Sequence, residues 1–514
     1  MVTIELRDMV RISDFDDEFD GIDRVCSYRP TAYYFIKQRN PAYDGVHFLR
    51  NGIFPLGLLE RVEQYLKDNR IKYDVIDSRG PAQRLELSCK VLKLRPYQEK
   101  AVTEFNKKGI GILNATTGAG KTFLTLEIIR RFATPTIIYV PTKVLLYQWK
   151  NEVEKNLGIH CGIIGDGECV VCPVTVAMYQ TVAKVIQDNA FTKYVVDEWS
   201  MEKDATELKG REDTIVSFMK GVSLSVMDEC HTVAARTFIK ATINTPSRYK
   251  LGLSATSLMR PDGANLAVIA GCGEVFMNIT TSELIKDGYL SPLLVKIVSL
   301  DKMDKKLKDK ELDGKAEYQR IKDEYVQGKD RNKYVVEETK KLLLEEKRTV
   351  LVLVTEIAHG RELRKLLEAD LGRPVQFLFG QTSGKKRMKV IDELKSGNEN
   401  LVISTSIFEY GLDIPRLDGL VIASPSKSMI KTIQRVGRIL RIHDGKKNAK
   451  IVDFDDVNAD YFREHFMERM IFYSGEPEFT LEYDGKRKDI LALVHREKEV
   501  TQFLWEWERK KGRR

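Results

Sequence analysis

The pattern of apolar and polar positions changes character along the chain. Residues 1–85 carry short β-like pieces, "VTIEL", "RVCSYRP", "AYYFIKQ" and "GVHFLRNG". The segment "PLGLLERVEQYLKDN" follows, with Leu58, Leu59, Val62, Tyr65 and Leu66 close to the spacing of one helical face, and "YDVID" then returns as a strand. From residue 94 onward, short fully apolar runs ("GIGILNA", "TPTIIYVP", "CVVCPVTV", "GVSLSVMDE", "KLGLSAT") alternate with helical stretches. Strands that are apolar on both faces, set between amphipathic helices, predict a parallel sheet covered on both sides. A second series of the same kind starts near 348: "RTVLVLVTE", "VQFLFG", "NLVISTS", "DGLVIASP" and "AKIVDFDD".

The expected fold is therefore α/β, with two parallel-sheet domains in tandem behind a small N-terminal α/β domain. The pattern divides the chain into 1–88, 89–297, a charged helical connection at 298–345, 346–458, and a helical basic extension at 459–514. A chain of 514 residues is too long for one core and should split into about three or four units. The charged stretch 184–222 reads as a surface insertion in the first large domain.

Composition narrows the class only mildly. At 43% hydrophobic and 31% charged, the chain is an ordinary globular one. No run approaches the roughly 18 apolar residues of a membrane span. Glu5 and Asp8 interrupt any signal-peptide block at the start. A cytoplasmic location is expected (the host cytoplasm, if the chain is phage-encoded), with no membrane partner. Seven scattered cysteines fit reduced thiols. Cys169 and Cys172 form a lone "CVVC", which is half a zinc site, a redox pair, or two buried thiols on an apolar strand; with no second pair at ligand spacing, the last reading is favoured. The net charge of +8 is concentrated at 302–310, 384–389, 487–489 and 508–514. Such runs can attract a phosphate backbone, although each taken singly reads as a solvated helix face or frayed end.

The chemistry begins at "ATTGAGKT", residues 115–122, between the strand "IGILN" and the helix "FLTLEIIRRF". Gly118 and Gly120 let the backbone curl, so that amides of Thr117, Gly118, Ala119 and Gly120 can face a phosphate at a helix N-terminus. Lys121 should reach the outer phosphates of ATP, and the Thr122 hydroxyl should bind Mg²⁺. In "SVMDECHTV", Asp228 ends an apolar strand, where it can hold the metal through water; Glu229 can polarise the attacking water, and His231 can link the site to its neighbours. In "QRVGRILR", Arg435, Arg438 and Arg441 recur every third residue, which is either a solvated basic face or a set of arginine fingers. If Arg438 and Arg441 complete the charge around a γ-phosphate held by Lys121, one triphosphate lies between two domains, and its hydrolysis drives a motor.

These residues resemble superfamily 2 helicases of the D-E-x-H type. "RPYQ" (95–98) is similar to the adenine-recognising Q motif, "VPTKVLLYQW" (140–149) to motif Ia, and "VAMYQTV" (176–182) to the single-strand contact motif after it. "LSATS" (253–257) is similar to motif III, "VISTSIFEYGLDIP" (402–415) to motif V and "QRVGRILR" (434–441) to motif VI. The matches fall in family order over 95–445. Two branches resemble the chain most in outline: UvsW-type phage helicases, whose small leading domain "NPAYDGVHFLRNGIFPLGLLERV" resembles, and XPB-type DNA helicases. The Arg-Glu-Asp element of the XPB type reads here Arg260-Pro261-Asp262, so its DNA-opening role does not carry over.

The resemblance implies two RecA-like motor domains. It implies Arg95 and Gln98 at the adenine, Gly411 and Asp413 at the ribose or coupling it to the strand, and Gln434 at the attacking water. Thr142, Thr181 and Thr405 would touch DNA phosphates, although Thr142 also reads as a helix N-cap. The N-terminal domain interleaves Tyr28, Arg29, Tyr33, Tyr34, Phe35, Lys37 and Arg39, a pattern of either a DNA-binding module or a small core. The expected activity is an ATP-dependent DNA helicase or translocase, acting 3′–5′ as a monomer. Its substrates would be forks, Holliday-type junctions or R-loops in recombination, repair or replication, bringing in DNA and the RNA of RNA–DNA hybrids as partners. The alternatives are an RNA helicase and a nucleic-acid-targeting subunit of a larger complex.

Overall fold

The computed structural model describes the chain except residues 16–18, 88, 187–209, 233–235, 257, 259–262, 301–325, 406–413, 426–435, 438 and 496–514. It forms two compact units, Met1–Ala115 with Gly120–Ile279, and Thr116–Ala119 with Thr280–Arg514.

The first unit opens on a small sheet in the spatial order Ile53–Phe54, Val10–Ser13, Val2–Leu6, Tyr73–Asp77. Val2, Ile4 and Leu6 are buried while Thr3 and Glu5 are less so, the alternation of a half-buried strand. Helix Leu59–Asp68 turns Val62 and Leu66 inward. These side chains share one continuous core with Ile112, Tyr139, Met227 and the helix Asn265–Cys272 of the large sheet that follows. Gly57 allows that approach, because a Cβ there would lie 2.1 Å from the Ile269 carbonyl oxygen. Arg61–Glu274 (2.9 Å) and Arg248–Asp77 (2.8 Å) tie the rim.

One N-terminal piece differs from expectation. "AYYFIKQ" is not β-like: all but its first residue lie in the helix Tyr33–Arg39. Its aromatic content favours strands, yet only Tyr33 is buried, with Ile36 one turn on partly covered and Tyr34 and Phe35 exposed. That is a helical, not a two-residue, period.

The large sheet of this unit runs Glu168–Val170, Gly162–Gly165, Val174–Met178, Thr136–Val140, Leu224–Asp228, Tyr249–Ser254, Ile110–Ala115, Val275–Ile279. Its pairings are parallel except the hairpin of Gly162–Gly165 with Glu168–Val170. Thr136–Val140 and Leu224–Asp228 are buried at every residue, as the two-sided covering requires. Cys169 and Cys172 are free, partly buried thiols. Part of the expected surface insertion is core instead: helix Glu212–Gly221 buries Ile215 and Met219, and 187–209 lie outside the described residues.

The second unit carries an all-parallel sheet in the order Gln376–Leu378, Leu401–Ser404, Thr349–Leu353, Leu417–Ile422, Ala449–Asp455, Leu293–Ser299, Phe479–Asp484. Two of these strands depart from the sequence reading. Leu293–Ser299 pairs with Ala449–Asp455, so the division falls at 279/280 rather than 297/298. The helical extension of 459–514 contains the edge strand Phe479–Asp484 between helices Asp460–Gly475 and Lys488–His495. The extension is anchored by ion pairs: buried Arg469 grips Asp453 (2.7 and 2.8 Å), and Arg487 grips Asp455 (2.8 Å). Among the described residues no helix is long and apolar enough to cross a membrane.

Candidate active site

Strand Ile110–Ala115 leads through a tight loop into helix Lys121–Phe132. Gly118 and Gly120 have φ of 92° and 74°, the left-handed region that favours glycine. Gly120 is constrained twice, because a Cβ there would lie 2.5 Å from the Gln98 amide nitrogen. Gln98 is buried, and its Oε1 accepts from the Arg95 amide (2.9 Å), closing a capping box on helix Pro96–Lys108. The structure thus brings Gln98 against the glycine beside Lys121. Arg95 extends to the Tyr97 hydroxyl (3.2 Å). Lys121 Nζ donates to the Ala115 carbonyl (2.9 Å). Thr122 stands partly exposed in the first helical turn, and Ala119 is buried. Thr117, Gly118 and Ala119 form the loop apex.

Asp228 lies at the carboxyl end of its strand and is buried. Its Oδ2 accepts from the indole N–H of Trp149 (2.7 Å) and its Oδ1 from the Glu229 amide (3.0 Å). Burial first, and Glu229 second, push its carboxyl up to about 6, while Trp149 and the nearby Lys121 oppose the rise. The Asp228 carboxylate and the Thr122 hydroxyl are hard oxygen donors of the kind that Mg²⁺ takes. The residues present fit that ion.

Glu229 has φ of 51°, a conformation costing a non-glycine residue about 1–3 kcal/mol. Its carbonyl is pinned by the amide (2.9 Å) and hydroxyl (2.8 Å) of Thr232. The turn brings its carboxylate 3.3 Å from His231 Nδ1, and the same nitrogen lies 3.1 Å from Ser254 Oγ. Ser254 Oγ also accepts from the Thr256 amide (3.1 Å). A chain of polar contacts therefore links "DECH" to "LSAT".

Of the residues assigned to nucleic acid, Thr142 caps helix Lys143–Leu157, accepting from the Leu145 amide at 3.4 Å. Thr181 is partly exposed on helix Tyr179–Val185. Thr405 is buried at the end of Leu401–Ser404, its amide donating to Leu378 (3.1 Å). In the second unit, burial pulls the Arg441 guanidinium below its ordinary pKa, and its carbonyl accepts from Lys446 Nζ (2.8 Å). Gly411, Asp413, Gln434, Arg438 and the Arg260-Pro261-Asp262 element lie outside the described residues.

Trp149 escaped the sequence reading. It closes "VPTKVLLYQW" on the buried side of its helix, where an indole reads as core; only its partner, far along the chain, reveals the N–H. Trp149→Phe keeps the ring but removes a hydrogen bond to a charged group worth about 1.5–3 kcal/mol. The Mg²⁺ concentration giving half-maximal ATP hydrolysis should rise about tenfold or more in this variant, as for other lost supports of metal ligands, in a Mg²⁺ titration of the ATPase.

Comparison with known proteins agrees with this layout. Residues 91–258 match the family described as type III restriction enzyme, res subunit, and 333–443 match the helicase conserved C-terminal domain. The chain is 26% identical over 428 residues to the DNA 3'-5' translocase XPB2 of Sulfurisphaera tokodaii, covering 77% of this chain and 88% of that one. It is 26% identical over 521 residues to the ATP-dependent DNA helicase uvsW of Enterobacteria phage T4, covering 91% and 95%. Among solved structures, the ATP-dependent type ISP restriction-modification enzyme LlaBIII bound to DNA superposes at a TM-score of 0.54 with 15% identity, over 85% of this chain and 35% of that one; this likeness bears on the fold.

Proposed function

Because the chain belongs to superfamily 2 of the helicases, with relatives of the UvsW and XPB types, and is an ATP-hydrolysing DNA helicase, we propose that it remodels branched DNA, tracking 3′–5′ along one strand. The observation that carries this reading is the contact chain from Glu229 through His231 to Ser254. It connects the carboxylate that follows Asp228 to the end of the neighbouring strand Tyr249–Ser254. A motor must transmit the state of the nucleotide, and this connection supplies one route for it.

In this reading the amides of Thr117–Gly120 and the Lys121 ammonium hold the triphosphate. Gln98 and Arg95 recognise the adenine, and Gly411 and Asp413 serve the ribose. Thr122 and Asp228 would hold Mg²⁺, which when bound neutralises phosphate charge. Glu229 orients and deprotonates water, assisted by Gln434. Arg438 and Arg441 stabilise charge developing on the transferred phosphoryl group. Closing and opening of the two motor domains with each turnover would shift phosphate grips made at Thr142, Thr181 and Thr405. The protein would act as a monomer.

The test is ATP hydrolysis and strand displacement on forks, four-way junctions, R-loops and blunt duplexes, with single-stranded RNA as comparison. Stimulation by forks and junctions above blunt duplex supports the reading; stimulation by RNA alone overturns it. His231→Ala should separate the two activities, lowering strand displacement about tenfold or more while DNA-stimulated ATP hydrolysis falls far less. The expectation follows from couplings of about 1–3 kcal/mol between linked sites. Parallel ATPase and displacement assays on one fork check it.

A further inference from the structure

The helix Tyr33–Arg39 has no role in the motor chemistry, and its surface is unusual. Tyr34 and Phe35 are 77% and 57% exposed, side by side. The fold gains nothing by keeping two adjacent rings in water, and exposed apolar patches are where binding surfaces are found. Cations surround it. The Arg39 guanidinium lies 4.3 Å from the Phe35 ring centre, Arg29 lies 4.8 Å from that of Tyr33, and Lys37 Nζ donates to the Tyr33 hydroxyl at 2.9 Å. Tyr33 itself is buried and meets Tyr34 edge to face at 5.3 Å, giving the exposed pair a rigid base. The helix contains no acid, and two acids of the same module, Asp23 and Asp44, are held by His47 at 2.7 and 3.3 Å.

Position adds a second, independent argument. The backbone of Arg29 and Thr31, leading into this helix, lies 3.8–4.0 Å from where a Cβ on Gly263 would sit. Gly263 precedes helix Asn265–Cys272, which in a parallel α/β unit starts at the carboxyl ends of the strands. Asp228 and the end of "LSAT" occupy that same edge of the sheet. The aromatic helix thus follows a segment that packs beside Gly263, at the carboxyl edge of the sheet that also carries Asp228.

We propose that Tyr34 and Phe35, backed by Arg29, Lys37 and Arg39, form a stacking platform for unpaired bases of the DNA strand at a branch point. Flat rings accept any base, and adjacent guanidiniums meet the phosphates, so the platform is sequence-tolerant, as a branch-remodelling enzyme requires. The proposal rests on the DNA reading above and assigns the element that holds the strand as it separates.

The test uses full-length protein and a synthetic fork with 2-aminopurine at the first unpaired position. Binding of the unaltered protein without ATP should quench the probe by stacking. Tyr34→Ala/Phe35→Ala should abolish the quench and weaken fork binding roughly 5- to 100-fold, the range for lost base–ring stacks. Strand displacement should fall with it, while ATP hydrolysis on a long single strand persists. Tyr34→Trp/Phe35→Trp should restore both quench and displacement. An alanine pair that quenches and unwinds like the unaltered protein overturns the proposal. Lost displacement with an intact quench also overturns it and points instead to a docking role. The quench needs no ATP, so failure of the motor reading would appear separately, as absent DNA-stimulated hydrolysis.

Discussion

Glu229→Gln protein is expected to bind ATP and forked DNA as the unaltered chain does, yet hydrolyse ATP at least about a hundredfold more slowly, the lower bound for loss of a general base. The substitution is nearly isosteric, so the turn should survive. Thr232 holds the Glu229 carbonyl through two hydrogen bonds that involve only main-chain oxygen. The contact of the side chain with His231 Nδ1 at 3.3 Å can be kept by an amide oxygen. What is lost is the ability to take a proton. Measured by single-turnover hydrolysis beside fluorescent-nucleotide binding, the variant should show an intact affinity and a collapsed rate. Equal losses in both would mean that the strained backbone at Glu229, rather than its carboxylate, matters.

Arg438→Ala should have an effect as large or larger, about a thousandfold on hydrolysis, within the range for arginine fingers. A solvated basic face predicts a different outcome: a small loss in DNA affinity and little change in the rate of hydrolysis at saturating DNA. Arg441 lies three residues further along the chain. Burial disfavours its charge, yet a guanidinium is not deprotonated in a protein. In the proposed function its cation, like that of Arg438, serves the transferring phosphoryl group. Arg438→Lys is not expected to rescue, because an ammonium lacks the planar fork. Steady-state ATP hydrolysis at saturating fork DNA, for the alanine and lysine variants together, distinguishes the two readings.

The large sheets were legible because their strands are buried on both faces, which writes unbroken apolar runs into the sequence; Thr136–Val140 and Leu224–Asp228 are examples. The phosphate loop was legible because only glycine enters the left-handed region cheaply, and Gly118 and Gly120 do so. Short marginal elements were not. Helix Tyr33–Arg39 is too brief for its period to outweigh aromatic strand propensity. Strand Phe479–Asp484 does alternate, with Phe479, Leu481 and Tyr483 more buried than Thr480, Glu482 and Asp484. Its charged surroundings concealed that signal. Contacts made between distant residues left no local trace. Neither the Trp149–Asp228 hydrogen bond nor the close approach of Gln98 to Gly120 can be read from spacing. The continuous core that the N-terminal sheet shares with the large sheet was hidden for the same reason.

In the proposed function, ATP hydrolysis by this chain is coupled to DNA. The most direct measurement is the rate of ATP hydrolysis with and without forked DNA, taken with strand displacement from the same fork, for the unaltered protein and Glu229→Gln side by side. Coupling requires hydrolysis that rises sharply with the fork, displacement that requires ATP, and neither in the variant. Hydrolysis indifferent to DNA, or displacement that persists in Glu229→Gln, would contradict it.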